Sequence, residues 1–516
     1  MKSYTSDNRK QIAKNTFLLY IRMLFMMIVS LYTSRVILNV LGVEDFGIYN
    51  VVGGVVAMFS VISGALSGSI SRFITYELGK GDSNKLTTIF SVSVTIQLLL
   101  SLIIIILIES IGVWFLNTKM TIPANRIIAA NWVLQFSIIT FVINLISVPY
   151  NATIIAHEKM SAFAYISILE AVGKLSIALL IKWSPMDKLI YYAILMCIVA
   201  IMIRFTYGHY CKKHFDECTY HFLWDKDMFK KMLNFAGWNF IGASASILRD
   251  QGGNIIINLF SGPSVNAARA VAFQVNNAIV GFVQNFMTAM NPQITKSYAS
   301  GNKEFMRTLI IQGARFSFYM LLLLSIPVFI NTQYILEIWL KIVPDHSVNF
   351  VQLILLFALS ESISNPLITG MLATGKIRNY QIVVGGIQML NLPISYICLC
   401  LWSIPESVII VSILISQICF FARICFLRKT IGLSLGFVLK NVYINILVTF
   451  TCAYLLSVAF KMVLFKVPMH EDILFFLSIL SSLIICVLVV LFIGLRKNER
   501  LKLADMFSKR FKLFSK

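Results

Sequence analysis

The sequence predicts an all-α polytopic membrane protein of about fourteen transmembrane helices, and three observations carry that expectation. Hydrophobic residues make up 58% of the 516 and charged residues only 13%, with a mean hydropathy of +0.81, far from the composition of a water-soluble core of this length. The apolar residues fall in runs that cross a hydrocarbon layer of roughly 30 Å, for which about 20 helical residues suffice. Lys and Arg outnumber Asp and Glu by 44 to 23 and are unevenly placed between the runs. The long polar stretches are the first dozen residues, the segment around 209–231 and the tail from 495, none of which could bury a core of its own. A soluble catalytic domain is thereby excluded.

The apolar run from Ile12 to Leu41 is too long for a signal-peptide core and lacks a small-residue cleavage site, so it is retained as the first span, 13–41. The second, 46–74, carries a stripe of Ser63, Gly64, Ser67, Gly68 and Ser71 suited to close helix packing. Spans 86–116, with Glu109 inside it, 123–149, 160–182 and 188–209 follow. In the fifth, Glu170 precedes Lys174 by one turn, the favourable order for a helix ion pair. After the basic stretch 210–229, spans 230–260 and 264–292 flank Gly262-Pro263. The first of these holds Arg249 and Asp250, whose side chains leave a helix about 100° apart, so Asp250 compensates its neighbour only with help. The second holds Gln274, Asn276, Asn277, Gln284 and Asn291, a set too dense for a lipid-facing helix, which lines either a cavity or a hydrogen-bonded interface. Span 304–331 contains Arg315, and span 347–373 contains Glu361 just before Ser364-Asn365-Pro366, where proline frees carbonyls for an ion or substrate. Spans 379–402, 406–428, 438–461 and 472–494 complete the count.

An even count puts both termini on one side. With that side cytoplasmic, 30 of the 44 basic residues fall on cytoplasmic segments and seven on external ones, namely Lys119, Arg126, Lys182, Lys188, Lys341, Lys461 and Lys466. That bias sets the orientation and accounts for most of the net charge of +21, which needs no nucleic-acid partner. The chain also resembles itself. Asn39–Gly42 with Phe46-Gly47 matches Asn258–Gly262 with Asn266-Ala267, and Arg72–Gly81 matches Pro292–Gly301. Spans 1–6 and 7–12 therefore read as two six-helix lobes related by a pseudo-two-fold axis along the membrane normal, with spans 13 and 14 appended. The expected division is an N-terminal lobe at 1–209, a cytoplasmic linker at 210–229, a C-terminal lobe at 230–428, and helices 13 and 14 with a basic cytoplasmic tail at 429–516. Most of the nine cysteines sit in apolar runs, Cys197, Cys398, Cys419, Cys452 and Cys486 among them, as small hydrophobes without a disulfide framework.

Seven basic side chains fall inside the spans: Arg22, Arg35, Lys174, Arg249, Arg269, Arg315 and Arg423. A central one costs roughly 2.5–3.5 kcal/mol on insertion scales, so such a set needs a compensating environment. Arg423 and Arg72 lie near cytoplasmic helix ends and are expected to snorkel, and Lys174 is expected to pair with Glu170. Arg22, Arg35, Arg249, Arg269 and Arg315 remain, stepped through the membrane as permanent cations. A planar guanidinium fork binds phosphate bidentately and is not neutralised by burial, so this ladder suits a cargo carrying phosphate or diphosphate. Glu361 and Asp250 are the candidates for coupling to H+ or Na+, and Gln274, Asn277 and Gln284 for lining the cavity; a buried carboxylate paired to a neighbouring helix is the competing account of Glu361.

Two constellations look like chemistry. The run His209-Tyr-Cys211-Lys-Lys-His214-Phe-Asp-Glu-Cys218-Thr-Tyr-His221 has spacings that would suit tetrahedral zinc, but the loop is short, cationic and cytoplasmic, and no metal site is expected there. Glu44-Asp45 sits in an external loop of about five residues, which leaves room only for a turn.

Leu41-Gly42-Val43-Glu44-Asp45-Phe46-Gly47-Ile48-Tyr49 resembles the Leu-Gly-x3-Phe-Gly-x-Tyr signature of bacterial polysaccharide-biosynthesis flippases of the multidrug/oligosaccharidyl-lipid/polysaccharide exporter superfamily. Ser71-Arg72-Phe73 leading to Gly79-Lys80-Gly81-Asp82 fits too, as does Asn291-Pro292-Gln293-Ile294-Thr295-Lys296-Ser297-Tyr298-Ala299 with Gly301. The resemblance extends over the whole chain. It implies translocation of O-antigen or capsule repeat units on an undecaprenyl-diphosphate carrier, across the inner (plasma) membrane of a bacterium, with a cationic cavity between two lobes.

The expectation is therefore a flippase for lipid-linked oligosaccharide that works by alternating access, with no covalent catalysis and no cofactor. The alternative is a multidrug/cation antiporter of the same architecture, whose cavity should be acidic or aromatic because five arginines would repel a cationic drug. A repeat-unit polymerase or glycosyltransferase would need a large external loop bearing acids or Arg, and the sequence has none.

Overall fold

The computed structural model describes residues 2–57, 59–118, 122–222, 225–340 and 343–501; the side chains of some helical positions, Arg35 and Glu44 among them, lie outside the described set. Among the described residues the regular structure is all helical. Ten helices are long and apolar enough to cross a membrane by length and composition. The four other expected spans fall in the helices that open the chain and in the long helix that follows residue 225. The chain forms two compact units, one of residues 1–244, 288–302 and 372–378, the other of 245–287, 303–371 and 379–516.

The first unit begins with α1 (Lys2–Ala57), α2 (Ser60–Lys80), α3 (Ser83–Leu107) and α4 (Val113–Thr118). Within α1 the helix is interrupted at Gly42 (φ 81°, ψ 168°), a conformation that glycine adopts without a Cβ penalty, at the expected end of the first span. The C-cap of α2 is Gly81 at φ 79°, and Asp82 then caps α3 by accepting from the Lys85 amide at 3.3 Å. Next come α5 (Ile127–Ala156), α6 (Met160–Leu180) and α7 (Lys188–His214). Here α5 packs along α7, and α1 along α6. Asp187 caps α7 through the amides of Leu189 and Ile190 at 3.0 and 3.2 Å.

The next helical segment, α8, runs over Lys226–Ala299. It is nevertheless two antiparallel arms. On a straight helix, residues 19 apart are separated by about 28 Å, yet the Arg269 guanidinium donates to the Asp250 carbonyl at 3.1 Å. The chain therefore reverses between Asn254 and Arg269, around the expected Gly262-Pro263 break.

Both outer ends of α8 belong to the first unit. Residues Met232 and Ala236 are buried with Leu66, Ile70 and Ile74 of α2. Ser69 donates to the Met232 carbonyl at 3.2 Å, and a Cβ at Gly68 would lie 3.1 Å from Asn239, so part of the small-residue stripe is a packing surface. At the other end, a Cβ on Gly79 would lie 2.7 Å from that of Ala299 and 2.9 Å from the Lys296 carbonyl oxygen. Gly79 and Ala299 are equivalent positions in the internal match of 72–81 to 292–301.

The second unit contains the middle of α8 with α9 (Lys303–Ile330), α10 (Thr332–Leu340) and most of α11 (Ser347–Thr374). It continues from Asn379 in α12 (Arg378–Tyr380) through α13 (Gly386–Met389), α14 (Asn391–Trp402), α15 (Ser407–Ile431), α16 (Leu435–Val438), α17 (Ile444–Leu464) and α18 (Glu471–Val489). α17 and α18 pack on each other and on α9. Single π-helical turns at Gln381–Gly385, Leu439–Tyr443 and Val490–Gly494 loosen the backbone ladder and expose carbonyls to side chains.

Candidate functional site

The second unit gathers charge in its interior. Arg249 binds its neighbour Asp250 directly, Nε to Oδ1 at 2.8 Å and Nη2 to Oδ2 at 3.2 Å, and lies 4.8 Å from the Phe357 ring centroid. The expectation that Asp250 could compensate Arg249 only with help is therefore corrected: a long guanidinium side chain bends back across the 100° separation. Arg269, buried, donates to the Asp250 carbonyl and to Asn254 and lies 4.6 Å from the Phe273 ring.

Glu361 accepts from Ser416 at 2.6 Å, Ser416 meets Ser360 at 2.9 Å, Gln417 donates to Ser360, and Tyr443 donates to Gln417 at 3.1 Å. A string of hydroxyls and an amide thus runs from α11 through α15 to the π turn before α17. Arg249 and Arg423 both lie in the field of Glu361.

Arg423 does not snorkel. It is 1% exposed and donates to Ser364 at 2.8 Å and to the Tyr380 hydroxyl at 3.4 Å. Arg315 is 0% exposed; it pairs with Glu499 at 3.0 Å and donates to the Gly494 carbonyl, which also accepts from Tyr319 at 3.0 Å. What Arg315 holds is the chain after α18. Gln274, Asn277 and Gln284 are exposed within an arc of about 80° on α8, and the buried Asn276 Oδ1 has no hydrogen-bond partner.

The first unit treats its cations differently. Arg22 of α1 lies 4.4 Å from the centroid of the Phe163 ring, with its Nε buried and lacking a hydrogen-bond partner. Tyr207 and Glu170 are the groups whose fields reach it, but Glu170 is committed to Lys174 at 2.6 Å, the pair expected from their spacing. Arg204, one turn before Tyr207 on α7, lies 3.9 Å from the Tyr150 ring centroid. Gly208 makes room for it, since a Cβ there would lie 2.9 Å from the guanidinium. Arg72 stands 4.8, 4.6 and 5.5 Å from the rings of Phe73, Tyr76 and Phe235 and donates to the Ala373 carbonyl at 3.2 Å. Gly375 (φ 72°) admits it, because a Cβ would come within 2.4 Å. Arg72 is thus boxed by rings, where snorkelling was expected. Among the described residues none of these three arginines makes an ion pair with a carboxylate. Arg35 lies outside the described side chains.

Sequence reasoning placed Arg204 with the cytoplasmic charge, so it was missed. The signal was local: Arg204 followed four residues later by Gly208 inside an apolar run.

The remaining polar clusters are structural. On the expected external side, Arg126 bridges Asp45, with Nε to Oδ1 at 2.8 Å, and Asp187. Burial pushes the Asp187 carboxyl up, but the hydrogen bonds from Arg126 and the Ile190 amide outweigh it and hold the group below its ordinary value. On the expected cytoplasmic side Glu158, at φ 59°, is buried and accepts from Lys296 at 2.7 Å and Gln293 at 2.6 Å. Its neighbour His157 meets Glu217 and stacks on Phe215 at 4.2 Å. Cys211 and Cys218 are both buried, and His214 stacks on Tyr210. No cluster of three metal-ligating side chains occurs among the described residues.

Half-buried guanidinium groups with aromatic seats and no carboxylates, as at Arg22, Arg72 and Arg204, offer charge to an anion. Arg249 beside Asp250, with the hydroxyl string ending at Glu361, offers a place for a proton or small cation.

Comparison with known proteins agrees with this architecture. A family model described as polysaccharide biosynthesis protein matches residues 12–298, more than half of the chain, and a second, described as MatE, matches residues 253–397. No curated protein matches. Among solved structures, an outward-facing multidrug resistance MATE family transporter of the MOP superfamily superposes at a TM-score of 0.71 with 12% identity, covering 82% of this chain and 96% of its own. A MATE in the bent conformation gives 0.71 and 12% over 83% and 97%. A MOP superfamily transporter from Pyrococcus furiosus, described as having a binding pocket of reverse polarity, gives 0.70 and 11% over 82% and 96%.

Proposed function

The chain belongs to the polysaccharide biosynthesis protein family and has the fold of MOP superfamily transporters, and from that premise we propose that it carries undecaprenyl-diphosphate-linked oligosaccharide across a bacterial inner membrane, both termini cytoplasmic, by alternating exposure of a cationic site. The observation that carries the reading is the set of ring-seated guanidinium groups without carboxylate partners, Arg22 and Arg204 above all. Each has π-electron stabilisation worth about 0.5–2 kcal/mol, enough to reduce the cost of burial but not to satisfy five N–H donors. A diphosphate supplies both the charge and the acceptors. Arg35, Arg249 and Arg269 complete the proposed set of cavity cations, while Arg315, expected among them, is fully buried and spent on Glu499 and the Gly494 carbonyl; Gln274, Asn277 and Gln284 are the polar lining, and Glu361 with Asp250 the groups that respond to H+ or Na+.

The MatE match and the multidrug neighbours favour a second reading, efflux of cationic drugs. The aromatic faces that such a drug would use are already covered by Arg22, Arg204 and Arg72, and the acids Asp250 and Glu361 face arginines.

The test is glycan export by variants that reach the membrane at normal levels. Arg22→Ala should lower export about ten- to a hundredfold, as expected for losing a charge-assisted bond of about 1.5–3 kcal/mol. Arg22→Lys should recover part of it, because charge returns without the planar fork. Full export by both Arg22→Ala and Arg204→Ala would overturn the reading.

A further inference from the structure

The first four turns of α8 have two chemically distinct faces. One face buries Met232, Phe235 and Ala236 against α2, with Phe235 edge-on to Phe73 at 5.9 Å. The other carries Lys226, Lys230, Asn234 and Trp238, one residue per turn, and lines an open groove of about 1190 Å³. Lys231, Leu233, Gly237 and Ile241 complete its walls, and Asp227 is the single acid among them. A Cβ on Gly237 would meet nothing within 4 Å, so the groove is open at that level. The Trp238 indole N–H donates to the Asn234 amide oxygen at 3.0 Å, fixing the ring, and the Arg378 guanidinium lies 5.7 Å from its centroid.

The order of these groups along the helix is informative. Cations come first, at the end of α8 that leaves the polar linker, where the helix macrodipole adds positive potential. An amide follows, and then an indole with Leu233 and Ile241 toward the apolar run. Lys226 and Lys230 stand about 6 Å apart at their Cβ atoms, so one diphosphate can bridge both ammonium groups. The apolar residues continue in the direction a membrane-buried tail would take from that headgroup.

We propose that this groove is a docking site for an isoprenoid diphosphate, the carrier part of the cargo: Lys226, Lys230 and Lys231 hold the two phosphates, and Trp238 with Leu233 and Ile241 receives the first isoprene units. This rests on the functional reading above and adds to it a carrier-specific, sugar-independent first contact, separate from the ring-seated arginines. An ordinary phospholipid shares the phosphate chemistry but offers one phosphodiester, which cannot bridge the two lysines with the charge of a diphosphate.

The test uses the full chain in nanodiscs of zwitterionic phospholipid, titrated with undecaprenyl diphosphate lacking any glycan and, separately, with phosphatidylglycerol, with bound lipid counted by native mass spectrometry. The double variant Lys226→Ala/Lys230→Ala should bind the diphosphate lipid about ten- to a hundredfold more weakly while phosphatidylglycerol binding changes less than threefold. Lys226→Arg/Lys230→Arg should restore binding, and Trp238→Ala should weaken it severalfold. The substituted lysines are exposed, so loss of fold does not confound the result. Retained diphosphate binding in the Ala variant, or an equal loss for both lipids, overturns the docking site. Failure of the unsubstituted protein to bind the diphosphate lipid would instead strike the functional reading.

Discussion

Arg22, Arg72 and Arg204 of the first unit are half-buried against aromatic rings, whereas Arg249, Arg315 and Arg423 of the second face carboxylates, hydroxyls and carbonyls. Arg22 on Phe163 and Arg204 on Tyr150 stand for the first arrangement; Arg249 with Asp250 and Arg315 with Glu499 stand for the second. Both answer the cost of placing a cation in low dielectric. They differ in what is left over. A ring contributes electron density but accepts few hydrogen bonds, so the cation keeps its charge and most of its donors. A carboxylate consumes both, and removing either partner leaves a bare charge behind.

The sharpest break between the two arrangements should come from Arg315→Ala. It strands the half-buried Glu499 and unties the Gly494 carbonyl and Tyr319, which should cost about 3–5 kcal/mol and appear as a lowered melting temperature and lowered membrane levels. Arg315→Met with Glu499→Leu should recover much of that loss, because an apolar pair leaves no charge unmatched. Arg22→Ala, by contrast, should melt within a few degrees of the parent while losing export. If Arg22→Ala unfolds as readily as Arg315→Ala, the contrast between the two units collapses.

An intermediate effect is expected at Glu361→Gln. The amide can still accept from Ser416, so the fold should hold, but no carboxylate charge remains to face Arg249 and Arg423. Transport driven by a proton or sodium gradient should fall severalfold and lose its dependence on pH and sodium. Unchanged gradient dependence would remove Glu361 from coupling.

The smallest effect belongs to Asp187→Asn at the Arg126 bridge. The folded carboxyl titrates below its ordinary value, so its contribution is present at neutral pH and disappears only as pH falls through that lowered value. The melting temperatures of parent and Asp187→Asn should therefore differ at pH 7 and converge under strongly acidic conditions; a difference that stays constant to the most acidic pH at which the protein still folds would show that the bridge acts by packing alone.

How much of this could be read from the chain depended on range. Helix limits were legible because bilayer thickness sets the length of an apolar run: the expected spans 160–182, 347–373 and 472–494 correspond to Met160–Trp183, Ser347–Thr374 and Glu471–Gly494. Glu170 with Lys174 was legible because one helical turn fixes their distance. The partner of Arg315 was not, since Glu499 is 184 residues away and only tertiary packing brings it near. Arg423 was misjudged for the same reason, its partners Ser364 and Tyr380 arriving from other helices. Arg204 was missed because position near a helix end says nothing about which ring its side chain will meet.

The contact between Gly79 and Ala299 can also be read as descent. In a chain that arose by doubling one six-helix unit, these two residues share a single ancestral codon. Before fusion, when two identical copies met across the axis, that residue touched itself, and every mutation in it was felt twice in the same place. A methyl added to one copy was a methyl added to both, at a spot where 2.7 Å separates the would-be Cβ atoms. In such a chain fusion would release the constraint by letting one side keep glycine while the other accepts alanine, and positions on such an axis should be among the last at which the two halves of the gene diverge.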